Sequence, residues 1–509
     1  MDPAIPPVDT IGYVILAGTA GSRLFPLSED LPKVLLSVAN RPILWYILTA
    51  LRRLGSCRVV VVTTGRFETQ VKEVCCELVQ RARTGSEVSD ETKGECMASP
   101  SRHLQLVVDV LVVDEMLGSG GALKEALWRD ATLSGCREVC VLAGDCLVGA
   151  AALQRLRAAH HRACVDCSLL LCGRKVSLTL KDVNDAELLL LDSEGHIAAK
   201  VSKLELDDDA GGEGDAEASL HLPRALFVRT PLLDCRSDLV DAHAYYFDGL
   251  ALRAALAAPE LAHATSLGAD IVPYLAARYF QGMQLPPCRP APASCATCTA
   301  IMANTEKITL PQAARGAAAC IADDWDLGAS DDDDSDDPLG SHFATRVRTI
   351  PTYVAVCRHV VAHAAASTRT QDMMCCQKVS LARRAILLGR KDMCMGTLSC
   401  RDSTLVGDGT VLGEKVQLKH STVGTNVRIG ARCKINNSIL LERVVLGDHC
   451  VVQNSIISAD ATLHERCNLN ECQVAAGAIV PVNTVARQEV FLAVDTSAPG
   501  PKLRVNNAL

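Results

Sequence analysis

The last hundred residues obey a spacing rule that few folds can satisfy. From Val406 an aliphatic residue returns at 412, 418, 423, 429, 435, 440, 446, 452, 457, 463, 469, 474 and 480, in intervals of six, six and five. All fourteen positions hold Val, Leu or Ile, and five are followed directly by glycine, at Gly407, Gly413, Gly424, Gly430 and Gly447. A β-sandwich would instead show period-two strands separated by irregular turns. The fixed schedule requires each short strand to form one wall of a three-sided coil. One aliphatic side chain per wall points into the prism, and small or polar residues turn the corners. The spacing therefore predicts a parallel β-helix of hexapeptide repeats over 393–485, followed by a tail at 486–509.

Upstream the period changes. From residue 11, short β-branched runs alternate with amphipathic segments, the pattern of a doubly wound, mostly parallel α/β sheet. Strands are expected at 13–16, 58–63, 104–113 and 138–142, and helices after Asn40, from Phe67 and over 121–128. Leu44, Ile47, Leu48, Leu51 and Leu54 carry the first helical stripe, and Gly55 suits its stop. This domain is expected to span 10–285, with polar insertions at about 84–102 and 205–217. A Pro/Ala-rich and acidic stretch at 286–342 reads as a disordered linker, because it offers too little apolar surface to offset ordering entropy. Residues 343–392 read as a segment packing on the first domain.

A chain of 509 residues exceeds one core, so at least two domains are expected. The 24 cysteines are scattered along a long chain and read as reduced thiols rather than a disulfide framework. The first residues, MDPAIPPVDT, lack the basic start and apolar core of a secretory signal, and no apolar run is long enough for a membrane span. The expectation is a cytosolic protein of the cytoplasm with no membrane contact. Nine aspartates lie between Asp323 and Asp337, so without them the formal charge of -8 falls to within one charge of neutral. Near-neutral domains with one acidic stretch give no reason to expect direct nucleic-acid binding.

The stretch LAGTAGSRLFPLSEDLPKVLL, Leu16 to Leu36, follows the first strand, where α/β sheets bind ligands. Gly18 and Gly21 let backbone N–H groups approach phosphate oxygens, and Arg23 and Lys33 supply positive charge. With LPKVLL and NRPILWYIL behind it, this stretch resembles the sugar 1-phosphate nucleotidyltransferase superfamily. EMLGSGGALKEAL, Glu115 to Leu127, resembles that family's base-contacting loop, and VLAGDCL, Val141 to Leu147, resembles its strand ending in a magnesium-binding aspartate, here Asp145.

The chain also departs from the family pattern. Thr19 stands at the signature's second glycine, and DSEGHIAAKVSKLELDDD lacks the Glu-Lys-Pro triplet whose lysine holds the sugar phosphate, although Lys203 is nearby. DDWDLG, Asp323 to Gly328, only approximates the element that carries a second metal-binding aspartate. DLVDAHAYYFDGLALRAAL, SLGADIVPYLAARYF and, within the coil, LGEKVQLKHSTVG resemble the gamma-subunit family of eukaryotic translation initiation factor 2B, catalytically retired relatives of the nucleotidyltransferases.

That resemblance spans nearly the whole chain outside the insertions. It implies a nucleotidyltransferase-like (Rossmann-like) domain followed by a left-handed parallel β-helix, with no catalytic residues, no metal and no cofactor. It also implies partners: an epsilon subunit, the other subunits of the 2B complex, and translation initiation factor 2, on which that complex exchanges GDP for GTP. In that family the catalytic helical domain follows the coil of epsilon; only 29 residues follow Val480 here, which favours gamma. Gly18, Gly21, Arg23, Lys33 and Asp145 are then a residual nucleotide pocket. The alternative is a working sugar 1-phosphate nucleotidyltransferase that uses NTP and magnesium.

Two further patterns have ordinary explanations. His420, His449 and His464 could suggest a hexapeptide acyltransferase, but exposed corner residues account for them. Cys295 and Cys298, with Cys288 and Cys320 nearby, lack the two tight ligand pairs of structural zinc.

Overall fold

The computed structural model describes residues 11–18, 21–29, 31–55, 58–87, 106–173, 188–193, 195–201, 205–206, 218–219, 232–281, 317–321, 339, 343–366, 386–388, 393–395, 398–401, 404–407, 409–493 and 504–506. Most of the stretches expected as insertions or linker lie outside these residues, as do Thr19, Lys203, the DDWDLG run, Cys288, Cys295 and Cys298. The chain divides into two compact units. One comprises residues 1–19, 48–325 and 342–346, and the other 20–47, 326–341 and 347–509.

The first unit is built on a seven-stranded sheet. Its strands are β1 (Ile11–Leu16), β2 (Arg58–Thr64), β3 (Val107–Val113), β4 (Glu138–Ala143), β6 (Cys167–Gly173), β8 (Leu239–Asp248) and β9 (Ala317–Ile321). Short strands β5 (Cys146–Val148), β7 (Ile197–Val201) and β10 (Ala344–Arg346) lie outside that sheet. The order across the sheet is β9-β6-β8-β4-β1-β2-β3. β1 pairs in parallel with both β2 and β4, whereas β8 runs antiparallel to β4 and β6. The chain thus moves outward from β1 to β3 and returns on the other side of β1 with β4. The carboxyl ends of β1 and β4 are thus the topological switch point, the place where doubly wound sheets take ligands.

Runs such as Val59 to Val62 are apolar throughout because helices cover both faces of a parallel sheet. Val14, Val60, Val62, Val139, Val141, Leu169 and Tyr245 form one continuous core with Leu123 and Leu127 of α3 (Gly118–Arg129), and with Val272 and Leu275. Each such fully buried side chain contributes ~2 kcal/mol of apolar transfer. α1 (Ile43–Arg53) buries the expected stripe and ends before Gly55, whose φ of +79° suits a left-handed stop. α2 (Glu68–Glu87) runs four residues into the stretch expected to begin an insertion at 84. Ala317–Ile321, within the stretch read as linker, forms the parallel edge strand beside β6, because its small apolar residues need only one strand partner.

In the second unit the coil follows the seventeen-residue rule. One wall stacks Val406, Val423, Leu440, Ile457, Val474 and Phe491 in parallel register. A second stacks Leu412, Ile429, Leu446, Leu463 and Val480, and a third stacks Leu418, Ile435, Val452, Leu469 and Ala486. All of these except Leu412 are buried. One corner is closed by a column of hydroxyls: Ser421, Ser438 and Ser455 each donate to the carbonyl two residues back. Each also accepts an N–H from the next coil. Corners are turned by residues at positive φ, His420 beside Ser421 in that column and His449 at another corner, and these two with His464 are exposed. Glycine follows the aliphatic residue where coils stack too closely for a side chain. At Gly424 a Cβ would stand 2.5 Å from the Leu441 carbonyl carbon.

The described cysteines with placed side chains are free thiols. Among the described residues no helix is long and apolar enough to cross a membrane.

Candidate functional site

The five residues expected around a nucleotide are divided between the units: Gly18 and Asp145 belong to the first, and Gly21, Arg23 and Lys33 to the second. In the first unit the end of β1 is stitched to β2 on one side and to β4 on the other. Ala17 N–H donates to Val62 O at 2.7 Å, and Gly144 N–H donates to Leu16 O at 2.8 Å. Gly18 and Asp145 therefore both leave the sheet at its switch point. Gly18 lies against Thr64, and the buried hydroxyls of Thr63 and Thr64 at the end of β2 have no hydrogen-bond partner among the described residues.

In the second unit Gly21, at φ +83°, lies under the Lys33 side chain, whose Cε occupies the space that a Cβ would need. Ser28 Oγ donates to Gly21 O at 2.7 Å and holds the turn. Lys33 is mostly buried in a single 3-10 turn after Pro32, whereas Arg23 is exposed. The pairing of Gly21 with Lys33 is thus built locally, by the loop's own backbone.

Asp145 is only 2% exposed, so an ionised carboxylate there requires a counter-charge. It has one: Arg346 Nε of β10 donates to Asp145 Oδ1 at 2.9 Å. Arg346 Nη1 lies 2.9 Å from Nε2 of His243 in β8. Burial works against the Arg346 charge, but the Asp145 carboxylate beside it outweighs this and raises its pKa. Burial likewise disfavours charge on His243 and, against the pull of Asp241, brings its pKa down to about 4. A neutral imidazole protonated on Nδ1 presents Nε2 as the acceptor that the guanidinium needs.

His243, at φ +55°, sits at a break in the register of β8 with β6. Beside it Asp241 accepts from the His243 N–H at 2.7 Å, from Tyr245 OH at 2.7 Å and from Lys200 Nζ of β7. The Lys200 and Asp241 side chains are 1% and 0% exposed. Burial alone would raise the Asp241 pKa. The Lys200 ammonium, reinforced by these hydrogen bonds, holds it well below the usual carboxylate range.

Two family models match the chain. A nucleotidyl transferase model matches residues 13–177, which include all five expected residues. The model described as the EIF2B subunit epsilon LbH domain matches residues 383–490. The chain therefore joins a nucleotidyltransferase-like α/β domain to a left-handed β-helix of the EIF2B type. Among curated proteins it is 46% identical to the bifunctional IPC transferase and DIPP synthase of Aquifex aeolicus over 59 residues, 12% of this chain and 14% of that one. It is 27% identical to the bifunctional protein GlmU of Mycolicibacterium gilvum over 241 residues, 47% of this chain and 42% of that one. The chain spans less than half the length of either relative.

Asp145 is where the resemblance places a magnesium ligand, yet its surroundings do not suit magnesium. A divalent cation held by protein needs several oxygen ligands, whereas Asp145 accepts from a guanidinium that in turn lies against the His243 imidazole. Among the described residues another carboxylate of this network, Asp241, is engaged by Lys200 and Tyr245. Among the described residues no cluster of three or more His, Cys, Asp or Glu side chains is placed to hold a metal.

Sequence reasoning missed Lys200, Asp241, His243 and Arg346. A signal for two of them was present: in DLVDAHAYYFD a carboxylate and an imidazole alternate within a strand that is otherwise buried. Nothing local marks Arg346.

Proposed function

We propose that this chain is a non-catalytic, gamma-type subunit of a translation initiation factor 2B complex, supporting GDP/GTP exchange on translation initiation factor 2 together with an epsilon subunit. The carrying observation is the β-helix of EIF2B type placed after a nucleotidyltransferase-like domain. The gamma assignment is favoured by DLVDAHAYYFDGLALRAAL and SLGADIVPYLAARYF, which carry that resemblance, the first of them supplying Asp241 and His243. A scaffold role suits flat coil walls, which offer broad surfaces without a reaction centre. The protein acts in the cytosol, where initiation takes place.

The second reading is an active sugar 1-phosphate nucleotidyltransferase. The nucleotidyl transferase match, the Gly21 and Lys33 pairing, and the buried hydroxyls of Thr63 and Thr64 at the switch point favour it. The Arg346 partner of Asp145 and the missing Glu-Lys-Pro triplet weigh against it. The two readings separate in one assay. The purified chain is incubated with each NTP, magnesium and glucose or mannose 1-phosphate, and pyrophosphate is measured. The scaffold reading predicts none above the no-enzyme control, and sustained turnover would replace it with the transferase reading.

A further inference from the structure

We propose that Arg346 takes the place of a divalent cation at Asp145, so that the first domain is complete without metal. The placement follows from strand register rather than from a long side chain finding a chance partner. β10 pairs antiparallel with β5, with Arg346 opposite Cys146, Thr345 opposite Leu147 and Ala344 opposite Val148. Cys146 immediately follows Asp145, so the ladder itself brings the guanidinium to the carboxylate. The Phe343 carbonyl accepts from Gly149 N–H at 2.8 Å, which fixes the entry to β10.

The chemistry of substitution is also complete. A buried strand-end carboxylate must be neutralised, and a metal would do so while demanding further oxygens. A guanidinium does so with directed N–H groups. One is used on Asp145 and another on His243 Nε2, a group that fits a hydrogen-bond donor but, beside Arg346, gives no negative charge to a cation. Asp241, the other carboxylate of the network, is neutralised in the same manner by Lys200. The domain thus carries cations for both carboxylates on β7 and β10.

The test uses Mn2+ as probe and the full chain, with loss of the free-ion paramagnetic resonance signal as readout. The wild-type chain is expected to take up no Mn2+ that Asp145→Asn removes. Arg346→Gln is expected to gain one equivalent per chain, the Asp145→Asn/Arg346→Gln double variant to lose it again, and Arg346→Lys, which keeps the positive charge, to bind none. If Arg346→Gln unfolds without metal, its melting temperature must rise on addition of Mn2+, and the double variant's must not. Uptake by the wild type that depends on Asp145 overturns the proposal. So does a folded Arg346→Gln that takes up nothing, or an unfolded one that metal does not rescue. None of these measurements involves an epsilon subunit or nucleotide exchange, so their outcome is separate from that of the assembly reading.

Discussion

His243 shows how a single buried side chain sets a pH limit on a domain. In the unfolded chain its imidazole titrates near 6.5, whereas in the fold burial lowers its pKa to about 4. Between these values the unfolded state binds more protons, so His243 makes stability fall as pH falls, by at most about 1.4 kcal/mol per pH unit. Above about pH 6.5 it contributes no pH dependence. Asp241, whose pKa is lowered by Lys200, acts in the same direction at still lower pH, because its stabilisation is lost only as the carboxylate is protonated. Urea unfolding followed by circular dichroism should show stability decreasing through that window, with a shallower slope for His243→Gln. An unchanged slope in the variant would show that His243 is not the group responsible. The position of Asp145 at a strand end was legible through the resemblance of VLAGDCL. Its partner was not, because a contact between residues 145 and 346 leaves no local pattern.

Among the elements, legibility followed periodicity. The coil positions were readable because one aliphatic residue per wall is a geometric necessity, and the same spacing reappears as the register that stacks Val423 on Leu440 and Leu440 on Ile457. α1 was readable from its stripe and from Gly55, whereas Ala317–Ile321 was not, since four small residues and one isoleucine within a polar stretch look like linker until β6 is beside them. The coil also separates inward from outward residues. Leu440, fully buried, should cost about 3 kcal/mol when changed to Ala, whereas Val411, 61% exposed on an outer wall, should cost less than about 0.5. Thermal or urea unfolding of the two variants measures the difference, and equal losses would contradict the assigned facing of the walls.

In the molecule as a whole, a nucleotidyltransferase-like α/β domain is joined to a left-handed β-helix of the EIF2B type. The nucleotidyltransferase-like domain has kept the sheet, the switch point and the Gly21 and Lys33 pairing. Asp145 and Asp241 in it are paired with Arg346 and Lys200. The coil adds broad, regular walls suited to partners. Such a chain should influence nucleotide exchange through assembly rather than by a reaction of its own. GDP release from translation initiation factor 2, measured with this chain alone, with an epsilon subunit alone, and with both, puts that expectation to the test. We expect no acceleration by the chain alone and faster release with both than with epsilon alone. Acceleration by the isolated chain, or no difference between epsilon alone and the pair, would refute it.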